Sequence, residues 1–259
     1  MIYGLLHPGS GLGNQLHRYI ATRCLAIDKN YEFGMVCPEN FKGSAIMNLD
    51  MGEPFTLESR VEMPAGKVVV DNFSLWEEKS EEYNDKIHLV EDNTIIDGEF
   101  QDPHYFMHHL DEIREWLKVE EHPLQIPFTA QEDICVLNVR GGEYIGTSLF
   151  LPKEYWYYAM EKMKAINPKM RFGIVTDDVE LCRQWFPNFY IRHDEHDWSA
   201  IRYAHYLILS NSSFAILPAI LNQNVKRILA PYHWGGYNTG KWRMNQNQYG
   251  SFQYIHHND

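Results

Sequence analysis

Short apolar runs alternate with amphipathic stretches throughout the second half of the chain. Residues 134–139 are almost continuously apolar, which is typical of a parallel strand that is covered on both faces. Strands that alternate with helices in this way form a parallel sheet joined by crossover helices. The sequence therefore predicts an α/β fold with Rossmann-like layers. The predicted strands are 134–139, 171–176, 206–209 and 225–230, and the predicted helices are 152–165, 179–185, 198–207 and 215–221.

The chain opens with a strand-like run over residues 2–6, which leads through a glycine-rich turn into a helix predicted over 13–29. Gly9, Gly11 and Gly13 have no Cβ, so they let the backbone turn sharply and approach a ligand closely. The first amides of the helix point out of the turn with the positive end of the helix dipole, which suits a phosphate or carboxylate. A turn that binds no ligand is the alternative. The candidate ligand-binding residues here are Gly11, Gly13, Asn14 and Gln15.

Two common glycine motifs do not fit this turn. A dinucleotide fingerprint needs a third Gly or Ala three residues after the second, where this chain has Asn14 or Leu16. A P-loop needs Gly-Lys-Ser or Gly-Lys-Thr, and no such tripeptide follows the turn. The turn therefore argues against a dehydrogenase or a small-molecule kinase.

The first half of the chain has fewer clear elements. Residues 68–70 and 94–96 are predicted as short strands, and the polar stretch 77–85 as a solvated loop or helix. A further helix is predicted to begin at Asp102 or Pro103.

Residues 123–128 contain two prolines and are the best candidate for a domain boundary. A chain of 259 residues fits one large domain or two modest ones. We predict an N-terminal α/β domain over 1–125, which carries the glycine turn, and a C-terminal Rossmann-like domain over 126–259.

Composition and charge exclude several classes of function. The chain is 44% hydrophobic and 14% aromatic, which predicts a packed globular protein. The net charge is −12, and no basic stretch is long enough to follow a nucleic-acid backbone, so nucleic acid is not a predicted partner. The four cysteines are scattered, which predicts reduced thiols and a cytoplasmic location. No signal peptide or transmembrane segment is predicted, so we expect a soluble protein.

Ligands of open α/β sheets bind at the carboxyl ends of the strands, so the residues that follow each predicted strand are candidate site residues. Arg140 follows the strand 134–139, and Asp177 and Asp178 follow the strand 171–176. Ser212 and Ser213 lie between the strand and the helix that come next. Together these groups suit a nucleotide diphosphate and its base or ribose.

Each of these residues also has a structural alternative. Arg140 can pair with Glu143 or Asp177 instead of a ligand. The two serines can be ordinary helix N-caps, and so can either aspartate before the helix that begins near residue 179.

No metal site is predicted. A third hard ligand does not lie at a useful spacing from the two adjacent aspartates. The histidine pairs at 108–109 and 256–257 are not at metal-binding spacing with a cysteine or carboxylate, so we expect them on the surface or in the core.

Six ordered groups of segments carry motifs. They are Gly11 to Leu16 (GLGNQL), Ile95 to Gln101 (IIDGEFQ) with Tyr105 and Phe106, Asn138 to Tyr144 (NVRGGEY), Leu151 to Trp156 (LPKEYW), Phe172 to Asp178 (FGIVTDD), and Ser210 to Phe214 (SNSSF) with Ala230 to Trp234 (APYHW). In this order they resemble sequence blocks of the bacterial-type α-1,2-fucosyltransferases. Those blocks are GLGNQ, G-Y-F-Q…Y-F, H-x-R-R-G-D-Y, L-P-x-x-Y-Y, F-x-I-F-S-D-D, N-S-S-F-S-W-W-G and A-P-x-x-W. That family lies within the wider fucosyltransferase superfamily that uses GDP-fucose. The resemblance covers most of the chain.

The resemblance implies an inverting, metal-independent glycosyltransferase of GT-B fold, in which two Rossmann-like domains face a cleft. It implies GDP-fucose as donor, a glycan as acceptor and no other cofactor. A soluble enzyme without the usual membrane anchor indicates a bacterial or viral source, which the sequence leaves open. By position, Arg140 matches a diphosphate contact that would also stabilise the charge on departing GDP. Ser212 and Ser213 match phosphate-contacting hydroxyls, and Asp177 or Asp178 matches a carboxylate at the guanine edge. The resemblance implies that the C-terminal domain, 126–259, binds the nucleotide sugar, and that the glycine turn of the N-terminal, acceptor-side domain, 1–125, closes on the donor.

The chain departs from the family pattern at the donor motifs. Asn138 replaces the motif's His, Gly141 its second Arg and Glu143 its Asp, while residues 215–218 replace W-W-G. A lost arginine removes a charge-assisted contact worth about 1.5–3 kcal/mol, or roughly tenfold to hundredfold in rate. The open alternatives are a transferase that uses a different sugar or base, and a protein that binds nucleotide or glycan with weak or no turnover.

An inverting transfer needs one base to take the proton of the acceptor hydroxyl. Glu143 is the first candidate, because it takes the place of the motif's Asp. Asp102, beside residues 98–101, is the second. An ion pair that orients Arg140 is the alternative role for Glu143.

Overall fold

The structure, a computed structural model, describes residues 1–55, 73–79, 82–119, 131–194, 196–245 and 248–256. The chain divides into two compact units, Met1–Lys118 and Val119–Asp259. The predicted strand 68–70 and the predicted boundary within 123–128 lie outside the described residues.

The first unit is built around a four-stranded parallel sheet. Its described strands are β1 (Ile2–Leu5), β2 (Phe33–Val36), β3 (Ser74–Glu77) and β4 (Thr94–Asp97), and its α-helices are α1 (Leu12–Lys29) and α2 (Leu110–Trp116). The strand order is β2-β1-β4-β3, and each neighbouring pair is parallel. Short 3-10 helices cover Pro38–Asn40, Asp85–Leu89, Pro103–Tyr105 and Met107–His109.

The helix predicted over 13–29 is confirmed as α1, which packs against β1. Its apolar residues Leu16, Ile20 and Cys24 are fully buried. Gly4 of β1 permits the close approach, because a Cβ there would lie 2.1 Å from Thr22 Oγ1. The glycine at this position therefore lets the middle of α1 pack closely against β1.

The second unit is built around a six-stranded sheet. Its described strands are β5 (Ile134–Val139), β6 (Arg171–Thr176), β7 (Tyr190–Arg192), β8 (Tyr206–Ile208), β9 (Arg227–Pro231), β10 (His233–Gly235), β11 (Arg243–Met244) and β12 (Gln253–Ile255). Its α-helices are α3 (Lys153–Ile166), α4 (Val179–Trp185), α5 (Asp197–Arg202) and α6 (Ser213–Leu221), with a 3-10 helix over Gly142–Tyr144. Strands β10 and β11 form a separate antiparallel pair.

The large sheet has the strand order β12-β9-β8-β5-β6-β7, and each neighbouring pair is parallel. Counted from β5 and without the β10–β11 pair, this is the order 3-2-1-4-5-6 of nucleotide-binding Rossmann folds. All six residues of β5 are buried, as expected for a central strand that is covered on both faces. The predicted α/β class and the Rossmann-like layering of this half are confirmed.

Most element predictions in the second unit are correct. The strands 134–139 and 171–176 and the helix 179–185 have the predicted bounds. The helix predicted over 198–207 was too long, because α5 ends at Arg202 and β8 begins at Tyr206. Apolar residues that continue past the helix belong to a buried strand, and hydrophobicity alone does not separate the two.

The helix predicted from Asp102 or Pro103 is also corrected. The segment forms two 3-10 turns before α2 begins at Leu110. Phe106, with φ −151° and ψ −14°, interrupts the helical backbone between these turns.

The predicted unpaired thiols are confirmed: all four cysteines are free, and Cys24, Cys135 and Cys182 are buried. In the described part of the chain, no helix combines the length and the apolar character needed to cross a membrane.

Candidate functional site

A pocket of about 120 Å³ lies in the second unit at the carboxyl ends of β5, β6 and β8. The chain leaves β5 toward β6 on one side of the sheet and later returns to β8 on the other side, so the strand order reverses at β5. Ligands of open α/β sheets bind in the crevice at this kind of reversal. The polar residues around the pocket are Asn138, Arg140, Thr176, Asp177, His193, Asp197 and Ser212. Four of them, Asn138, Arg140, Asp177 and Ser212, are among the predicted donor-site residues.

Arg140 is held at the mouth of the pocket by two carboxylates. Its Nη1 lies 2.9 Å from Asp177 Oδ2, and its Nη2 donates to Glu143 Oε1 at 2.8 Å. The guanidinium also lies over the ring of Tyr144, 5.1 Å from its centroid. The side chain is 28% exposed. The structure therefore contains the ion pairs that were the alternative role of Arg140, and they leave the guanidinium in one defined position beside the pocket.

Asp177 and Asp178 hold the loop that follows β5. Asp177 Oδ1 accepts a hydrogen bond from the backbone N–H of Gly141 at 2.8 Å. Asp178 Oδ2 accepts from Gly142 N at 3.2 Å, and its Oδ1 caps α4 by accepting from Leu181 N at 3.0 Å. The two carboxylates that were predicted to bind the edge of the guanine base are therefore already hydrogen-bonded within the chain.

Only a glycine fits at position 141, because the backbone there lies against the side chain of Asp178. A Cβ at this position would lie 2.6 Å from Asp178 Cβ and 2.9 Å from its Oδ2. The second arginine of the family motif therefore does not fit this backbone unless the start of α4 moves. The close packing of the loop against Asp178 therefore explains why this chain has glycine where the motif has arginine.

Ser212 lies at the N-cap position of α6, but its side chain makes no capping hydrogen bond. It is buried and faces the pocket, whereas Ser213 is the first residue of the helix and does not line the pocket. The neighbouring Ser210 donates to Asn138 Oδ1 at 2.7 Å, which fixes the side chain of Asn138. An N-cap serine that leaves the helix amides uncapped is available to a ligand with negative charge.

Asp197 is a pocket residue that the sequence analysis missed. It begins α5, and its Oδ1 is buried with no hydrogen-bond partner among the described residues, although Arg192 Nε lies 3.5 Å away. His193 Nδ1 lies 3.4 Å from Asp197 Oδ2. Burial of the carboxyl group raises its pKa to about 6, and the nearby carboxylate of Asp194 adds to this shift. The strand β7, which has only three residues, leads to these residues. Because β7 was not predicted, the residues that follow it were not considered as site residues.

The glycine turn of the first unit does not adopt left-handed backbone. Gly11 has φ −69° and ψ 160° at the N-cap of α1. A Cβ at Gly9 or Gly11 would meet no described atom within 4 Å, so neither glycine is required by contacts within the described chain. Gly13 is buried in the first turn of α1. Gly9 and Gly11 are exposed, and ligand binding at this turn stays a prediction.

Gln15 has a different role from the predicted one. It is fully buried, its Nε2 donates to His7 O (3.2 Å) and Asn40 O (2.8 Å), and its Oε1 accepts from Lys42 N at 2.9 Å. The side chain joins three loops of the first unit, and these hydrogen bonds engage both polar atoms of its amide. Asn14 Oδ1 accepts from Gln101 Nε2 at 3.2 Å.

A second polar cluster that the sequence analysis missed lies beside this turn, at the carboxyl ends of β1 and β4. His7 Nε2 lies 3.0 Å from Asp97 Oδ1, and Arg18 bonds both Asp97 and Glu99 Oε1, the latter at 2.8 Å. Burial alone would raise the pKa of Asp97, but the charge and hydrogen bonds of Arg18, with the hydrogen bond of His7, lower it overall. Helical spacing from the glycine turn placed Arg18 on α1, but only the strand pairing brings Asp97 to it.

The loop after β4 contains a strained residue. Phe100 has a positive φ of 47°, which is unusual for a bulky side chain and costs on the order of 1–3 kcal/mol. Glu78 Oε2 stabilises this backbone by accepting hydrogen bonds from the N–H groups of Glu99 (2.6 Å) and Phe100 (2.9 Å). The Phe100 ring is fully buried and stacks on Trp76. This arrangement directs Glu99 toward Arg18.

The two candidate bases have different surroundings. Asp102 caps the 3-10 turn Pro103–Tyr105: its Oδ1 accepts from His104 N at 2.9 Å and lies 2.7 Å from His104 Nδ1. Glu143 is 74% exposed and pairs with Arg140. Asp102 is therefore engaged in local structure, whereas Glu143 lies beside the pocket and is accessible.

Comparison with known proteins gives a likeness in structure and none in sequence. No family model matches the chain, and no curated protein matches it significantly. Among solved structures, the chain is similar to a NodZ α-1,6-fucosyltransferase from a crystal soaked with GDP-fucose, with 15% identity and a TM-score of 0.50 over 95% of this chain and 99% of that one. A fucosyltransferase NodZ from Bradyrhizobium gives 14% identity and a TM-score of 0.49 over 95% and 98% of the two chains. At these identities the likeness concerns the fold: this chain has an α/β fold like that of the α-1,6-fucosyltransferase.

Proposed function

We propose that this protein is a glycosyltransferase that moves fucose, or a related sugar, from GDP-fucose to a glycan hydroxyl. The observation that carries the proposal is the pocket at the reversal of strand order beside β5, which gathers Arg140, the uncapped start of α6 at Ser212 and the carboxyl of Asp197. The predicted GT-B arrangement, with two Rossmann-like domains facing a cleft, is part of the proposal. The fold likeness to a fucosyltransferase and the ordered motifs support it.

The diphosphate is proposed to lie between Arg140 and the first turn of α6. A guanidinium and helix-start amides are the groups that bind phosphate without a metal ion. Among the described residues, no three His, Cys, Asp or Glu side chains at this pocket are close enough to share an ion. The pocket is smaller than the roughly 300–1,000 Å³ of typical ligand sites, so it is proposed to enclose only part of the nucleotide.

The base is proposed to be read by Asp197 rather than by the predicted Asp177 or Asp178, whose oxygens hold the loop after β5. Guanine presents N–H donors on its Watson–Crick edge, and an ionised carboxylate accepts such donors. The Oδ1 of Asp197 makes no hydrogen bond among the described residues, with Arg192 Nε 3.5 Å away, and is proposed to accept this contact.

The proposed reaction is a direct displacement with inversion at the anomeric carbon. The acceptor oxygen forms the new bond to this carbon as the bond to the β-phosphate oxygen of GDP breaks, and a base takes the acceptor proton. Negative charge develops on the departing β-phosphate, where Arg140 and the α6 amides stabilise it. Glu143 is retained as the proposed base. The ordered motifs favour an α-1,2 linkage, whereas the structural neighbour is an α-1,6 enzyme, so the linkage must be read from the product.

A second candidate function is nucleotide or glycan binding without turnover. Gly141, which takes the place of an arginine and is packed against Asp178, favours it. The two carboxylates that already neutralise Arg140 favour it as well.

The proposed function is tested with a panel of nucleotides and nucleotide sugars in a thermal-shift assay with and without Mg²⁺. GDP and GDP-fucose are expected to raise the melting temperature equally in both conditions, because a ligand that binds the native state stabilises it. Incubation of GDP-fucose with glycan acceptors should then release GDP, and NMR of the product gives its linkage. Absence of a shift with every compound would contradict the proposal, and a shift without GDP release would favour the binding protein.

Replacement of Glu143 by glutamine separates its two possible roles. If Glu143 is the base, turnover with GDP-fucose should fall roughly 100-fold or more while the Kd for GDP changes little. If it only pairs with Arg140, GDP should bind more tightly, because a competing carboxylate has been removed, and turnover should persist. Glu180→Gln, which breaks a similar exposed pair with Arg183 (2.9 Å), is the matched control. Kd by calorimetry and kcat by GDP release distinguish the outcomes.

A further inference from the structure

Two adjacent histidines and one aspartate converge on the surface of the first unit, away in sequence from the motifs above. Asp28 lies in the last turn of α1, and His108 and His109 form the 3-10 turn that precedes α2. Asp28 Oδ1 lies 2.8 Å from His109 Nε2, and Asp28 Oδ2 lies 2.9 Å from His108 Nε2. One ligand atom from each of the three residues lies within 4.8 Å of the other two.

From this geometry we propose that Asp28, His108 and His109 form a binding site for a divalent transition metal ion such as Zn²⁺. Imidazole nitrogens with one carboxylate oxygen suit Zn²⁺, whereas Mg²⁺ and Ca²⁺ prefer oxygen ligands. Tetrahedral Zn²⁺ with bonds near 2.0–2.1 Å separates its ligand atoms by about 3.3 Å. The two separations between Asp28 and the histidines, 2.8 and 2.9 Å, are about 0.5 Å shorter than this value, so small side-chain rotations would accommodate the ion. The fourth ligand would be water.

The surroundings of the cluster favour metal binding. Glu112 Oε1 lies 3.4 Å from His109 Nδ1, which is the arrangement of an outer carboxylate that orients a metal-binding histidine and leaves its Nε2 for the ion. The side chains of Asp28, His108 and His109 are 25%, 45% and 13% exposed, so an ion can reach the site while the histidines remain ordered. The rings of the two histidines lie 4.4 Å apart. A bound ion would join the end of α1 to the start of α2.

The sequence did not indicate this site. His108 and His109 are adjacent, and the carboxylate that completes the set is 80 residues earlier in the chain. The proposal does not depend on the proposed glycosyltransferase activity, because its residues and its test concern the first unit alone.

The experiment uses the full chain freed of metal with a chelator and titrated with Zn²⁺ by calorimetry and thermal shift. We expect a stoichiometric binding step and a rise in melting temperature, with no effect of Mg²⁺ in large excess. Asp28→Asn and His109→Gln should remove that step, and Glu112→Gln should weaken it about 10–100-fold. His104→Gln is the matched control, since His104 also pairs with one carboxylate (Asp102, 2.7 Å) but has no second histidine in that pair. The His104→Gln variant should bind Zn²⁺ like the parent protein.

Co²⁺ supplies an independent readout. The metal-free protein should develop visible absorption bands of low-coordinate Co²⁺, and His108→Gln should lose them. Because His108 is 45% exposed, this variant should fold even if His109→Gln does not. A Zn²⁺ affinity that is the same in the parent protein, Asp28→Asn and His108→Gln would overturn the proposal, as would a parent protein that shows no Zn²⁺ step at all.

Discussion

Replacing Arg140 with glutamine is expected to abolish the rise in melting temperature that GDP and GDP-fucose cause in the parent protein. Arg140 is the proposed phosphate-binding cation of the pocket, and each charge-assisted hydrogen bond that it supplies is worth about 1.5–3 kcal/mol. The loss of one such bond lowers the affinity for GDP about 10–100-fold, and loss of two lowers it further. Sugar transfer should fall at least as much, because the same group stabilises the departing β-phosphate.

The control for Arg140 is Arg171→Gln. Arg171 also pairs with a carboxylate, with its Nε 2.8 Å from Asp133 Oδ2, but it begins β6 and so lies at the amino end of the strand, whereas Arg140 lies at the carboxyl end of β5. This variant should respond to GDP as the parent does. Circular dichroism confirms that both variants fold. A full GDP response in Arg140→Gln would remove Arg140 from the donor site and, with it, the main support for the proposed function.

GDP is expected to bind about tenfold more weakly at pH 5 than at pH 7, as measured by calorimetry. Burial raises the pKa of Asp197 to about 6, so most of the carboxyl is protonated at pH 5. The protonated group must lose its proton before both of its oxygens can accept N–H groups of the base. Because the terminal phosphate of GDP titrates in the same range, the informative quantity is the difference between the parent protein and Asp197→Asn. The variant should bind GDP about 10–100-fold more weakly at pH 7 and show a smaller dependence on pH.

The same substitution should make the ligand-free protein more stable at pH 8. A carboxyl whose pKa is about 6 when folded and near 3.8 when unfolded binds more protons in the folded state, so its contribution to stability falls as the pH rises between those values. Above pH 6 the folded protein therefore carries a penalty of up to about 3 kcal/mol, which asparagine removes. Below pH 4 the difference should vanish. Asp133→Asn, at a side chain that is 42% exposed and pairs with Arg171, is the control and should not gain stability at pH 8. Equal stability of the parent and Asp197→Asn at pH 8, measured by urea unfolding, would argue against a raised pKa of Asp197 in the folded protein.

The sheet of the second unit could be predicted from the sequence because its central strands are nearly continuous apolar runs bounded by polar loops. The runs 134–139 and 171–176 are such strands, and both are correct to the residue. The strand β2 contains a glycine and β7 ends in an arginine, so neither forms the continuous apolar run that identified β5 and β6, and both were missed. Consequently the residues at the end of β7, including Asp197, were missing from the predicted site.

The candidate site was predicted in part. Arg140, Asp177, Ser212 and Asn138 were expected near one another because the carboxyl ends of parallel strands lie at one edge of a sheet, and the structure places them around one pocket. The positions of individual hydrogen bonds could not be predicted. Gln15 was expected at a ligand, but its amide joins three loops of the first unit, and this depends on chain segments up to 27 residues away.

The sequence by itself determined the α/β class, the central strands of the second unit, the glycine turn before α1 and the group of polar residues that ends β5, β6 and β8. These features depend on local periodicity and on the chemistry of short turns, which neighbouring residues specify. Only the tertiary structure decided which of these polar groups are already bonded within the chain. It also brought Asp97 to Arg18, left the Oδ1 of Asp197 without a hydrogen bond among the described residues, and placed Asp28 between two histidines. The physical reason is that hydrogen bonding and burial depend on residues distant in sequence, and strand order and helix packing alone determine which of them meet.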